Sequence, residues 1–152
     1  MASGRVGFVV LEGPHFAIDW GVMDLRGKSE QAVIDMIADK IAWFLPDVLI
    51  LENPKDKSCR KGDTSKALIK RVEKQASLRS IEVRFVARAV ANRFFYIDGK
   101  VNKDKIASVI LQQLPELGRA PTKRHPWDPE RFRMAMFEAA GYALAYYKSQ
   151  EM

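Results

Sequence analysis

Two acidic residues sit where a carboxylate is costly unless it does something. Glu52 ends the run Val48-Leu49-Ile50-Leu51, and Pro54 stops that run two residues later. A short unbroken apolar run reads as a strand buried on both faces in the middle of an α/β sheet. Functional crevices of open α/β sheets lie at the carboxyl ends of their strands, where Glu52 falls. Glu138 is the one non-apolar residue between Met134 and Tyr147. Its neighbours three and four residues away are Met134, Ala135, Gly141 and Tyr142, so its carboxylate must be neutralised, paired or bound to a cation. The bland alternatives are a strand-end Glu that turns into solvent and a buried Glu bonded to an arginine or a backbone group.

Composition narrows the chemistry. The 152 residues contain one cysteine, Cys59, and two histidines, His15 and His125. That excludes an intramolecular disulfide and argues against a Cys/His zinc cluster. Any metal is then expected to be held by oxygen ligands, which means magnesium or manganese. A hydrophobic content of 47% is that of a folded chain, and its length suits a single domain spanning residues 1–152. With neither a long apolar span nor a signal-peptide start, the chain is expected to be soluble and cytoplasmic. Glycine-rich phosphate loops and nucleophile elbows are missing, which removes kinase, dinucleotide-binding and serine-hydrolase readings.

Charge is divided unevenly. Residues 1–54 carry four Lys/Arg against eight Asp/Glu, and residues 55–152 carry 21 against 11, for an overall +6. A basic second half points to a polyanionic partner, nucleic acid being the expected one. Eight of those cations lie within residues 55–74, beside the proposed crevice. Lys55, Lys57, Arg60, Lys61, Lys66 and Lys70 are the candidate phosphate contacts there, and Arg88, Arg93, Lys103, Lys123 and Arg124 follow. As an alternative, cations on a helix form its solvated face.

The elements that must position these groups read as mixed α/β. Phe8–Glu12 and His15–Asp24 flank a Gly13-Pro14 turn, so residues 6–24 form an antiparallel hairpin, with Phe16, Ile18, Trp20 and Val22 alternating on one face. Ser29 caps a helix that runs to Pro46. The strand Asp47–Glu52 follows by a crossover. Lys55–Asp63 is a polar loop, and Thr64 or Ser65 caps a second helix to about Arg79. Ile81–Val86 alternates as a strand of the same sheet. A short helix over Arg88–Phe95, a helix over Lys103–Leu114 capped by Asn102, and a basic loop over Gly118–Pro126 come next. Asp128-Pro129-Glu130 is a strong helix start, and it opens a last, largely buried helix over Arg131–Tyr147.

This order, with Leu51-Glu52-Asn53-Pro54 and the stretch from Pro129-Glu130-Arg131 to Phe137-Glu138-Ala139-Ala140-Gly141-Tyr142, resembles the RuvC-type Holliday-junction resolvases of the RNase H-like fold, including bacterial and phage-associated members. The resemblance covers nearly the whole chain. It implies an α/β fold with a mixed sheet flanked by helices. It also implies a magnesium-dependent endonuclease that resolves branched DNA, in which carboxylates hold two ions that position water and clamp the leaving oxygen. Glu52 matches the acid of the central strand, Glu138 an Asp of the last helix, and Glu130 an earlier acid of that motif. A homodimer suits a two-fold junction. The family's first strand carries its principal acid, and here Met1-Ala2-Ser3-Gly4 stands where the turn after that strand would be. Asp19, on the second hairpin strand, is a conceivable substitute. The expectation is therefore a sheet lacking its first central strand. Three functional readings follow: a resolvase, a catalytically inactive nucleic-acid-binding protein of the same fold, or a structural subunit that pairs its open strand edges with another chain.

Overall fold

The structure is a computed structural model. It describes residues 5–93, 108–118 and 135–150 in full, and only the backbone of 96–97, 100–101, 103–107 and 131–134. Strands β1 (Arg5–Leu11) and β2 (Ala17–Asp24) form the antiparallel hairpin expected from the Gly13-Pro14 turn. Gly13 occupies the left-handed region that the turn requires, at φ +83°. The expected alternation holds only for part of β2. Trp20 and Val22 pack on the core with Ala17, whereas Phe16 and Ile18 are exposed. The cause is a bulge: Val10 faces Asp19, Leu11 faces Ala17, and Ile18 is the extra residue. One inserted residue shifts the period-two pattern to the other face.

Helix α1 (Glu30–Phe44) starts at Ser29, whose side chain accepts the Ala32 N–H. It ends at Leu45 in a left-handed cap that donates its N–H to the Ile41 carbonyl, with Pro46 next. Strand β3 (Val48–Glu52) lies parallel to β4 (Glu82–Val86), in register from Val48–Glu82 to Glu52–Val86. Between them runs α2 (Asp63–Leu78), which begins at Gly62 with no side-chain cap rather than at Thr64 or Ser65. Then come α3 (Arg88–Asn92), a small hairpin of β5 (Tyr96–Ile97) and β6 (Lys100–Val101) that the sequence patterns did not suggest, α4 (Lys103–Gln113), a short 3-10 turn at Pro115–Gly118, and α5 (Arg131–Gln150). The helix starts expected at Asn102 and at Asp128-Pro129 lie outside the described residues.

Three apolar clusters show the layering. Val9, Leu11, Trp20 and Val22 pack against Ile110, Leu114, Met136, Phe137 and Ala140 of α4, its C-terminal end and α5. Val6, Leu49 and Leu51 pack against Val33, Ile34, Leu68 and Val72 of α1 and α2. Ile50 meets Ala145, Tyr142 and Tyr146 on the α5 side. The strands thus lie between α1–α2 and α4–α5. Gly7 lets α5 approach β1 directly, since a Cβ there would lie 2.0 Å from the Ala135 carbonyl oxygen.

The strands do not form one continuous sheet. Among the described residues β1 pairs with β2 and β3 with β4, as separate two-stranded pieces. This corrects the expectation that β3 is buried on both faces: Val48–Leu51 are only half-buried, and Glu52 alone is buried. Layers of helix cover both faces of β3, but among the described residues no strand pairs with its edge away from β4.

Candidate functional site at the carboxyl end of strand β3

Glu52 is 5% exposed and is the only buried charged residue among those described. It faces α5, as Ile50 does two residues earlier. The loop that follows is folded on itself. Asn53 donates its N–H to the Val86 carbonyl, and its side chain accepts the Lys55 N–H. Asp56 accepts the Ser58 N–H and hydroxyl, and Ser58 Oγ in turn accepts the Ala89 N–H of α3. Such Asx turns need no wider fold to form. They bring Cys59 and Lys61 back over the strand end.

Three groups then meet the Glu52 carboxylate. The Cys59 thiol donates to Oε2 at 3.0 Å. The Tyr142 hydroxyl donates a short hydrogen bond to Oε1. Lys61 Nζ lies 3.5 Å from Oε1, with only 7% of its side chain exposed. Burial pushes the Glu52 carboxyl up, but the thiol, the phenol and the Lys61 ammonium outweigh it and hold the group below its ordinary range. Burial and the adjacent Glu52 keep the Tyr142 phenol protonated far above its usual range, with Arg88 acting in the opposite sense and Glu138 in the same sense. Tyr142 is therefore a fixed donor. Glu52, Tyr142, Lys61 and Glu138 all line one cavity of about 680 Å³.

The candidates expected from sequence are placed as follows. Glu52 and Glu138 face the same cavity. Glu138 is half-buried rather than enclosed in apolar surface. Glu130 lies outside the described residues. Asp19 does not line the cavity; it is ion-paired to Lys40 at 3.3 Å. Lys55, Lys57 and Arg60 are exposed on the loop, as are Lys70 on α2 and Arg93 beyond α3, whereas Lys66 and Arg88 are half-buried. Lys61, grouped by sequence with the solvent-facing cations, is turned inward onto Glu52. The side chain of Lys103, together with Lys123 and Arg124, lies outside the described residues. Sequence reasoning missed Cys59 and Tyr142 as partners of Glu52. Tyr142 had a signal, since it lies four residues after Glu138 and so on the same helix face. Cys59 had none.

Comparison with solved structures gives the fold. The chain superposes on Thermus thermophilus RuvC with a TM-score of 0.65 at 13% identity, covering 97% of this chain and 89% of that one. It is RuvC-like in fold. Against T. thermophilus RuvC in complex with a Holliday junction substrate the TM-score is again 0.65, at 14% identity, with 95% and 87% covered. No protein-family pattern matches the chain, and no curated protein matches it in sequence.

Carboxylates are the right donors for the divalent cations that the resemblance implies. Among the described residues, however, no three His, Cys, Asp or Glu side chains come together in a cluster able to hold a metal ion. Glu52 and Glu138 are two carboxylates, and both oxygens of Glu52 already accept bonds. The described donor set does not by itself make a divalent-cation centre. No helix among the described residues is long and apolar enough to cross a membrane.

Proposed function

We propose that this chain is a resolvase-type endonuclease acting on branched DNA, with Glu52, Glu138 and Glu130 as its acidic residues, magnesium or manganese as the metal, and a homodimer as the working form. The observation that carries this reading is Glu52. It is a buried carboxylate kept ionised at the carboxyl end of β3, open to a cavity shared with Glu138 and flanked by the basic loop Lys55–Lys61. The likeness to a RuvC bound to a Holliday junction supports the choice of substrate. Tyr142, Cys59 and Lys61 fix the rotamer and charge of Glu52 before any substrate arrives. The exposed cations Lys55, Lys57, Arg60, Lys70 and Arg93 track backbone phosphates, reading DNA shape rather than base edges.

A second reading is favoured by one observation. The Lys61 ammonium sits against Glu52 where a bound cation would otherwise neutralise it. A protein in which that ion pair persists binds branched DNA without cutting it.

The experiment is cleavage of a labelled four-way junction beside a linear duplex, in magnesium and then manganese, with Glu52→Gln as the control. Junction-selective cleavage that is lost in the variant, while junction binding survives, is the expected result. Cleavage retained by the variant rejects the assignment of Glu52. Salt-sensitive binding without cleavage by the unmodified chain establishes the second reading.

A further inference from the structure

Helix α1 turns its apolar side inward through Val33, Ile34 and Ile41. Its C-terminal end departs from that pattern. Trp43 is 81% exposed, the most exposed large apolar side chain among those described, and Leu45, two residues on, is 70% exposed. An indole at that exposure offers roughly 200 Å² to solvent. With Leu45 the patch is on the order of 300 Å², a size at which an apolar patch on a monomer is often functional.

Both side chains stand on a fixed helix end. The Leu45 N–H closes the helix on the Ile41 carbonyl at 2.9 Å, its backbone sits in the left-handed region at φ +46°, and Pro46 prevents continuation. Anchors held in place before binding lose little freedom on contact.

The charge around the patch selects what covers it. From Asp35 to Asp47 the chain carries three acids, Asp35, Asp39 and Asp47, and one cation, Lys40. The three aspartates are exposed. Lys40 is drawn away, ion-paired to Asp19 at 3.3 Å and set 4.2 Å over the Phe8 ring. Asp39 lies one turn before Trp43, on the same face of the helix. In a chain of net charge +6, the surface around Trp43 is therefore acidic. It repels nucleic acid and anionic lipid, and it suits a cation-bearing partner.

We infer that the C-terminal end of α1 is a docking surface for a basic segment of a partner protein. An apolar side chain of that segment covers Trp43 and Leu45, and flanking lysines or arginines face Asp35, Asp39 and Asp47. Exposed tryptophan within a charged rim is the composition of an interface hot spot. A second copy of this chain fits less well. A two-fold contact would set the acidic rim against itself, and a head-to-tail contact would consume the basic loop beyond Glu52. The surface adjoins the amino end of β3, whereas Glu52 stands at its carboxyl end, four residue rises or ~13 Å away. The inference rests on exposure and charge, and so stands apart from the DNA reading.

The test titrates the full chain, by calorimetry at low salt, with a capped peptide Lys-Leu-Lys-Lys-Leu-Leu-Lys-Lys-Leu and with its counterpart carrying glutamate for every lysine. The lysine peptide should bind and the glutamate peptide should not. Trp43→Ala should weaken binding by about tenfold or more, Trp43→Phe should retain most of it, and Asp35→Asn with Asp39→Asn should weaken it and flatten its salt dependence. The thermal midpoints of these variants should match that of the unmodified chain, because the altered side chains are exposed. No binding of the lysine peptide, equal binding by both peptides, or binding that ignores Trp43→Ala overturns the docking surface. Self-association of the unmodified chain in sedimentation, abolished by Trp43→Ala, overturns the partner in favour of a second copy.

Discussion

At the residue scale, Glu52 shows how a buried carboxylate is kept charged. Desolvation alone would protonate it, and three donors reverse that outcome. The consequence for stability has a definite sign. Folding lowers the pKa of Glu52, so the unfolded chain holds the proton more tightly, and the stabilisation is complete above the ordinary value near 4.5. It is lost as pH falls through the folded-state value. Urea unfolding from pH 7 down to pH 3 should therefore show a steeper acid loss for the unmodified chain than for Glu52→Gln, which has no proton to bind. Parallel curves would mean that Cys59, Tyr142 and Lys61 do not hold the carboxylate as described. Lys61 behaves in a related way. A lysine in a basic loop reads as a phosphate contact, yet this one spends its charge on a buried neighbour.

At the scale of elements, the hinge of the architecture is the crossing of α5 over β1 and β3. Gly7 allows the α5 backbone to lie on β1 with no side chain between them. Gly7→Ala forces a Cβ to within 2.0 Å of a carbonyl oxygen, so helix or strand must shift. The expected loss is about 3 kcal/mol by urea denaturation, at the upper end of ordinary overpacking. A loss within ~0.5 kcal/mol would show that α5 sits further from β1 than described. The same crossing carries Tyr142 to Glu52, so Gly7→Ala should also loosen the site.

At the scale of the whole molecule, charge is segregated. The acidic first 54 residues supply β1, β2, α1 and β3, and the basic remainder supplies the loop, strands and helices beyond Glu52. If the exposed loop cations track phosphates, replacing Lys55, Lys57 and Arg60 together with alanine should reduce the slope of log affinity against log salt. The expected change is about 2.7, at roughly 0.9 for each duplex phosphate that the protein no longer neutralises. Lys61→Ala should leave that slope nearly unchanged and lower stability instead, because Lys61 is committed to Glu52. Binding isotherms on a four-way junction at several salt concentrations separate the two outcomes.

Much of the architecture was legible in the sequence because its signals are local. The Gly13-Pro14 turn placed the first hairpin, Ser29 and Pro46 bounded α1, and the run from Val48 to Leu51 placed β3 with Glu52 at its end. Period and capping depend on residues a few positions apart, so they can be read without knowing the fold. The motif around Glu52 and the last helix also pointed to the RuvC-like fold that the superposition shows. The rest depended on residues far apart in the chain. The bulge at Ile18 inverted the expected face because register is set by the partner strand. The half-burial of β3 came from an open edge that no run of apolar residues can announce. Glu52 could be found from its strand, but its chemical state could not, because Cys59, Lys61 and Tyr142 reach it only when the loop and α5 fold back across the end of β3.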